Sequence, residues 1–418
     1  MPRSVVITGL GLVTRDAQDL AAFEALLHKG GKPPQPPQQF DASRFRARNA
    51  FATPPANGAR NGPQADAAQR DFLTRAPSRE ELDCAGHGLA AALQAITQAG
   101  LSPDELQKAG CVLATTSGGL MDDFADLTQD QDADVQPPEL LAPASAAQVL
   151  YRLFGLSGPL CSFSCACVSS LGAISHAFSR VRHGEAPVMI VGGSDRMREA
   201  DFAGFNALRA MDRDSCRPFD TTRRGMMIGD GAAMLVLEDE AHALARGARP
   251  LMRLSGMGLA TDSHHITSPN AQGLIRAMQQ ALTQAGRRAE EITYVNCHGT
   301  GTALNDAAEI EALSAVFDAP DMRPVIGSTK GTTGHLLGSA GTIETIATVL
   351  ALQSGMAPVM ATTHNPEETG FPLPLAGTPQ PLSGRIAMNN SLGFGGLNAS
   401  LILEAYDSHD SQGSSPCA

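Results

Sequence analysis

Three residues have types and settings that could do nucleophilic chemistry together. They are Cys167 in CSFSCACVSSLG (161–172), His298 in NCHGTGTALNDAAEIEAL and His335 in GSTKGTTGHLLGSAG. The cysteine-rich stretch admits a metal knot, a disulfide, or one nucleophile among bystanders. Zinc sites pair two ligand clusters, and CSFSCAC has no CxxC or HxxxH companion elsewhere, which disfavours the knot. Eight cysteines in 418 residues, behind an opening MPRSVVITGLGLVT that reads as a first β-strand, point to reduced thiols in a cytosolic, cytoplasmic protein. Cys161 and Cys165 read as small buried apolar residues.

Cys167 differs because a helix-forming stretch begins directly after it. Val168, Leu171, Ile174, Phe178 and Val181 repeat at helical spacing, with Arg180, Arg182 and His183 at the C-terminal end and Gly184 as a stop. A thiol at that helix start meets unpaired backbone N–H groups and the positive end of the helix dipole. Both favour the thiolate over the ordinary thiol pKa of about 8.5, and the same N–H groups suit a developing oxyanion. The two histidines sit in matching frames of strand, Gly/Thr-rich turn and helix, where open α/β sheets build their sites. Lys330, five residues before His335, reads as a charge that sets the protonation of that histidine. Phe394 lies between Gly393 and the pair Gly395–Gly396, a backbone that must bend or admit a ligand. Thr300 and Thr302 either satisfy turn amides or contact a ligand, and the spacing leaves both readings open.

These residues need a scaffold. With 43% apolar residues the chain can bury a sizeable core, and a net charge of −12 with scattered basic residues gives a nucleic-acid role no support. No apolar run approaches the ~20 residues of a membrane span. VITGLGLVT (6–14) and RLSGMGLAT (253–261) share one pattern, which points to a duplicated α/β unit. The expected division is 1–250, carrying the cysteine, and 251–405, carrying the histidines, with a disordered tail over 406–418. The Pro/Gln/Asn-rich residues 31–64 are expected to be irregular.

From VVITGLGLVT through SCACVSS, RPFDTTRRGMMIGDGAAMLVLED, TDSHHITSP, NCHGTGTALNDAAEIEAL and GSTKGTTGHLLGSAG to NNSLGFGGLNASL, the chain resembles the elongating 3-oxoacyl-[acyl-carrier-protein] synthases of the thiolase-like superfamily. The resemblance implies a duplicated five-layer αβαβα fold, a dimer usually formed with a second copy, and a Cys-His-His condensing centre. It gives Cys167 as nucleophile, His298 and His335 as the two histidines, Lys330 as supporting lysine and Phe394 as mobile gate. Glu309 matches the acid that buttresses the site, and Thr300 and Thr302 the positions that contact phosphopantetheine. The implied reaction is decarboxylative condensation of an acyl thioester on Cys167 with malonyl-carrier, in fatty-acid or polyketide-type elongation. It needs no metal and no cofactor beyond the carrier's phosphopantetheine, and its partner is an acyl carrier protein.

Some segments depart from the family pattern: ATTSGGL (114–120), the acidic residues 121–140, DRDSCRP, and Leu392, Met226 and Cys297. They leave the acyl chain open, along with an alternative reading as the chain-length-determining, non-condensing half of a heterodimer. Such partners commonly lack the nucleophilic cysteine. A thiolase would bring a second cysteine near the C-terminal GG motif, and NNSLGFGGLN has none. A cysteine protease would need an orienting Asn/Asp motif, which is also absent.

Overall fold

The structure is a computed structural model, and it describes residues 2–53, 71–116 and 145–406. The readings of 121–140, of ATTSGGL beyond Thr116, of 54–64 and of the tail with Cys417 fall outside those residues. Within the Pro-rich excursion, residues 31–53 form isolated bridges only.

The first half contributes β1 (Val5–Thr14), β2 (Gly110–Ala114), β3 (Leu160–Phe163), β4 (Val188–Asp195) and β5 (Gly231–Asp239). The second contributes β6 (Met252–Thr261), β7 (Tyr294–Asn296), β8 (Val325–Gly327), β9 (Ile386–Gly393) and β10 (Leu397–Ala405). Their hydrogen-bonded order is β3-β2-β4-β5-β1-β6-β10-β9-β7-β8. Adding five to each strand of the first half reproduces the second, read outward from the β1/β6 seam. The pairing directions match as well: β2 is parallel to β3 and β4, as β7 is to β8 and β9, and the remaining pairs within each half are antiparallel. The seam itself is three antiparallel pairs, Val5 with Leu254, Val6 with Arg253 and Ile7 with Met252.

The helices, in chain order, are α1 (Leu20–Lys29), α2 (Arg79–Ala99), α3 (Pro103–Gln107), α4 (Ser145–Leu153), α5 (Ser169–Arg182), α6 (Glu199–Ala207), α7 (Glu240–Ala245), α8 (Ala271–Ala285), α9 (Ala303–Val316), α10 (Lys330–Thr333) and α11 (Ala340–Ser354). Helices α2 and α4 cover the outer face of the first half, and α8 and α9 that of the second. Between the halves lie α5 and α11, each touching strands of both. This is the duplicated αβαβα arrangement. Helix α11 is buried from Ala340 through Ala351, α5 is buried along one side, and one apolar core joins Leu171 and Ile174 of α5, Ile343 and Ile346 of α11, Leu237 and Leu401.

The repeated motif shows why its residue types recur. A Cβ on Gly9 or Gly11 would sit 2.0 Å from the carbonyl oxygens of Ala95 and Ala91 on α2. On Gly256 or Gly258 it would sit 2.2 and 1.9 Å from those of Ala281 and Ala277 on α8. Only glycine permits that approach. Side-chain oxygens of Gln98 and Gln94 accept from the Leu10 and Leu12 amides (2.7 and 3.1 Å), and Gln284 and Gln280 do the same for Met257 and Leu259 (2.7 and 3.2 Å). The motif hydroxyls of Thr8 and Ser255 bond Glu238 and Glu404 at matching positions of β5 and β10.

Candidate active site

Cys167 stands on a tight elbow between β3 and α5. Ala166 adopts φ +49°, the left-handed region, and Ser169 closes the turn by accepting from the Cys165 N–H (2.8 Å) and donating to the Ala166 carbonyl (2.6 Å). The cysteine is buried, two residues before the first helical residue rather than on it. The backbone N–H groups of Cys167 and Phe394 both face its sulfur. A depressed thiol pKa was the expectation from the helix start, and burial reverses it. Desolvation pushes the Cys167 thiol up to about 11, and the opposing pull of Lys330 and the two amides does not compensate. The resting nucleophile is a neutral thiol.

His298 and His335 arrive on the turns after β7 and β8. Their ring centroids are 5.2 Å apart with the planes nearly perpendicular, and the Cys167 sulfur and one nitrogen of each ring all lie within 4.8 Å of one another. Burial and the Lys330 charge hold both imidazoles well below their usual pKa, so both are neutral. Neighbouring donors then fix the tautomers. Nδ1 of His298 is 3.2 Å from the Lys330 ammonium, and Nδ1 of His335 accepts from the Leu337 N–H at 3.0 Å. Lysine and a backbone amide can only donate here, so each Nδ1 accepts and each Nε2 carries the hydrogen. Nε2 of His335 is buried without a partner among the described residues. Three such atoms could also suggest a metal ion, but a ligating Nε2 must offer a lone pair, and these two present N–H.

Together with burial, Lys330 lowers the pKa of His335 through its charge, as its spacing suggested, while its hydrogen bonds go to the other histidine. Its ammonium bonds the His298 carbonyl (2.5 Å), approaches the His298 ring and pairs with Glu344. The reason is topological. Lys330 opens α10, and its ammonium reaches the turn that follows β7. Glu344, in the buried central helix α11, was missed. An acidic residue inside GTIETIATVLAL was the available signal, because such a group is not buried without a partner. Burial pushes its carboxyl up and Lys330 pulls it down. Glu309 accepts from the His298 and Gly299 amides at 2.7 and 2.8 Å, which anchors the histidine backbone, and burial moves its pKa up to about 7.

Phe394 stacks on Phe205 of α6 with centroids 6.1 Å apart. Its loop turns on Gly395 and Gly396, at φ +86° and +81°. The Thr300 and Thr302 hydroxyls lie 2.9 Å from each other, so they pair rather than cap the turn. The turn amide of Gly301 is taken by Asp306, a residue the sequence reading left out. Asp220 and Asp230 bond backbone amides, those of His364 and Asn365 and those of Thr53 and Met197 respectively. Cys167, His298, His335, Lys330, Glu309 and the Phe394 amide therefore converge, while Thr300 and Thr302 stand on the turn beside them.

Comparison with known proteins places this geometry. The beta-ketoacyl synthase N-terminal domain matches residues 2–243 and the C-terminal domain residues 251–364. The 3-oxoacyl-[acyl-carrier-protein] synthase 2 of Vibrio cholerae is 32% identical over 423 residues, covering 96% of this chain and 99% of that one. Nodulation protein E of Rhizobium meliloti is 39% identical over 263 residues, 63% of this chain and 66% of that one. Among solved structures, the ishigamide ketosynthase/chain length factor superposes with a TM-score of 0.85 at 29% identity, covering 97% of this chain and 100% of that one.

Proposed function

The chain belongs to the beta-ketoacyl synthase family, and from that premise we propose that it condenses an acyl thioester held on Cys167 with malonyl-acyl carrier protein, releasing CO2 and a 3-oxoacyl-carrier. The observation that carries this reading is the cluster of the Cys167 sulfur and two neutral imidazoles whose Nδ1 atoms are both occupied by donors.

In the first half-reaction the Cys167 sulfur attacks the carrier thioester. A new S–C bond forms, the carrier's S–C bond breaks, and the thiol proton leaves with the carrier's sulfur. The tetrahedral oxyanion is held by the Cys167 and Phe394 amides. In the second, the C–C bond to the malonyl carboxylate breaks and its electron pair moves onto the thioester oxygen as an enolate. His298 and His335 donate to that oxygen through Nε2–H, a role that needs neutral rings and no metal ion. The enolate carbon then attacks the acyl-Cys167 carbonyl, the same two amides hold the oxyanion, and Cys167 leaves as a thiolate that takes up one proton.

The partner is an acyl carrier protein, and the setting is fatty-acid or polyketide-type elongation in the cytoplasm. No helix among the described residues is long and apolar enough to cross a membrane. The site residues stand in these roles: Lys330 and Glu309 set the His298 ring and backbone, Phe394 gates the nucleophile, and Thr300 and Thr302 meet the phosphopantetheine arm. The chain pairs with a second copy or with a second ketosynthase-like subunit. Edge strand β3, with Leu160 41% exposed, supports such pairing. Cys167 and its two facing amides favour the condensing role over that of a chain-length subunit. Incubation with acyl-carrier and malonyl-carrier tests the reading: it requires a 3-oxoacyl-carrier product, and its absence with every chain length offered, alone or with a second subunit, overturns it.

A further inference from the structure

The duplication extends to the elbow that holds the nucleophile. Ala166, at φ +49°, lies three residues before α5, and Leu337, at φ +52°, lies three residues before α11. Gly338 is therefore the counterpart of Cys167. Strands β4 and β9 are also equivalent, eight residues each, so Asp195 at the end of β4 corresponds to Gly393, the residue before Phe394. In the first elbow the amides face a sulfur. In the second, the Gly338 N–H donates to the Asp195 carboxylate at 2.6 Å. That carboxylate is buried and also accepts from the Thr116 N–H (3.0 Å), the Thr116 hydroxyl (2.6 Å) and the Thr115 hydroxyl. The Thr116 oxygen in turn accepts from the Gly338 N–H at 2.9 Å. A Cβ at Gly338 would lie 2.7 Å from the Asp195 oxygen, so the counterpart elbow is closed.

We propose that Asp195 is a positioning residue for His335. By bonding Gly338 and Thr116, its carboxylate clamps the elbow whose Leu337 N–H fixes His335 with its proton on Nε2. A non-glycine residue in the left-handed region persists only when its surroundings hold it there. Here two consecutive amides provide the hold, Leu337 N–H on the His335 ring and Gly338 N–H on Asp195. Among the described residues Asp195 makes no direct bond to the Cys167 elbow, which Ser169 closes, so its loss weakens enolate stabilisation more than acyl transfer. This inference rests on the condensing role proposed above.

The test compares wild type with Asp195→Asn, whose amide offers one acceptor oxygen and turns an N–H2 toward the same donors. Acylation of Cys167 by acyl-carrier and malonyl-carrier decarboxylation are measured separately, and the His335 tautomer is read by NMR on protein with 15N-labelled histidine. The expected result is decarboxylation reduced about tenfold to a hundredfold, acylation within about twofold of wild type, and loss of the pure Nε2–H pattern. If Asp195→Asn does not fold, Thr116→Val, which removes the hydroxyl shared by Asp195 and Gly338, must show the same split, about threefold or more. Equal losses in both half-reactions, or an unchanged tautomer in a folded variant, overturn the clamp. Wild-type protein that neither acylates nor decarboxylates sinks the condensing reading instead, and the NMR comparison still decides the clamp.

Discussion

The ammonium of Lys330 lies 3.2 Å from Nδ1 of His298 and pairs at the same time with Glu344 of the central helix. One buried cation therefore orients a histidine from the neighbouring strand-turn unit and neutralises a buried acid. Replacing it by alanine leaves Glu344 an uncompensated charge, an effect of about 3–5 kcal/mol when one member of a buried pair is lost. Lys330→Ala is expected to lower the thermal midpoint and, in whatever fraction folds, to depress malonyl decarboxylation more than Cys167 acylation. Calorimetry together with CO2 release checks both, and an unchanged midpoint would count against the pair.

Each histidine supplies one enolate donor. His298→Ala and His335→Ala should each slow decarboxylation by about 10²–10³, the usual cost of removing one preorganised donor. Malonyl decarboxylation can be followed directly in both variants, and a loss of only a few fold in either would remove that ring from the role.

The Cys167 thiol, raised to about 11 by burial, is protonated at neutral pH and gains thiolate character only as pH rises. Iodoacetamide labelling of Cys167 in the resting protein should therefore increase steadily from pH 7 to beyond pH 9. A plateau below pH 8 would mean that the facing amides and Lys330 outweigh desolvation. The histidine shifts run the other way. Their folded pKa values lie well below 6.5, so the stability they contribute is present above about pH 6.5 and lost as pH falls beneath it.

Glu309 holds two backbone amides. Glu309→Ala orphans both, at about 1–3 kcal/mol for each buried donor left unpaired. The thermal midpoint should fall, and the His298 backbone should lose hydrogen-exchange protection. An unshifted midpoint would show that water replaces the carboxylate.

The duplication makes a paired prediction. Gly11→Ala and Gly258→Ala drive a Cβ into the carbonyls of Ala91 and Ala277 at 2.0 and 1.9 Å. Both are expected to destabilise the protein by at least about 1–3 kcal/mol, and by similar amounts because the packing is the same. Chemical denaturation of the two variants compares them.

Much of this was legible in the sequence. Glycines spaced i, i+2 in two strand-like stretches announced the repeated strand and helix packing, and the three reactive residues stood in turns that chemistry would choose. Other features depend on distance through space. Lys330 lies nearer in sequence to His335 but bonds His298, because the turn after β7 brings the His298 carbonyl and ring to its ammonium. Glu344 meets Lys330 only once α10 and α11 pack together, and Asp195 meets Gly338 only when the two halves close on the central layer. The direction of the Cys167 shift turned on a balance between helix-start amides and burial, and sequence shows the first but not the second. Residues 117–144, where the sequence departs most from the family pattern, lie outside the described structure.

Intact-protein and peptide mass spectrometry tests the central claim most directly. The protein, and Cys167→Ala beside it, is incubated with acyl-carrier and then with malonyl-carrier. The account predicts an acyl adduct on Cys167 that is absent in the variant and disappears on addition of malonyl-carrier as 3-oxoacyl-carrier forms. No adduct in folded protein with several chain lengths, or an adduct that persists when malonyl-carrier is added, would contradict it.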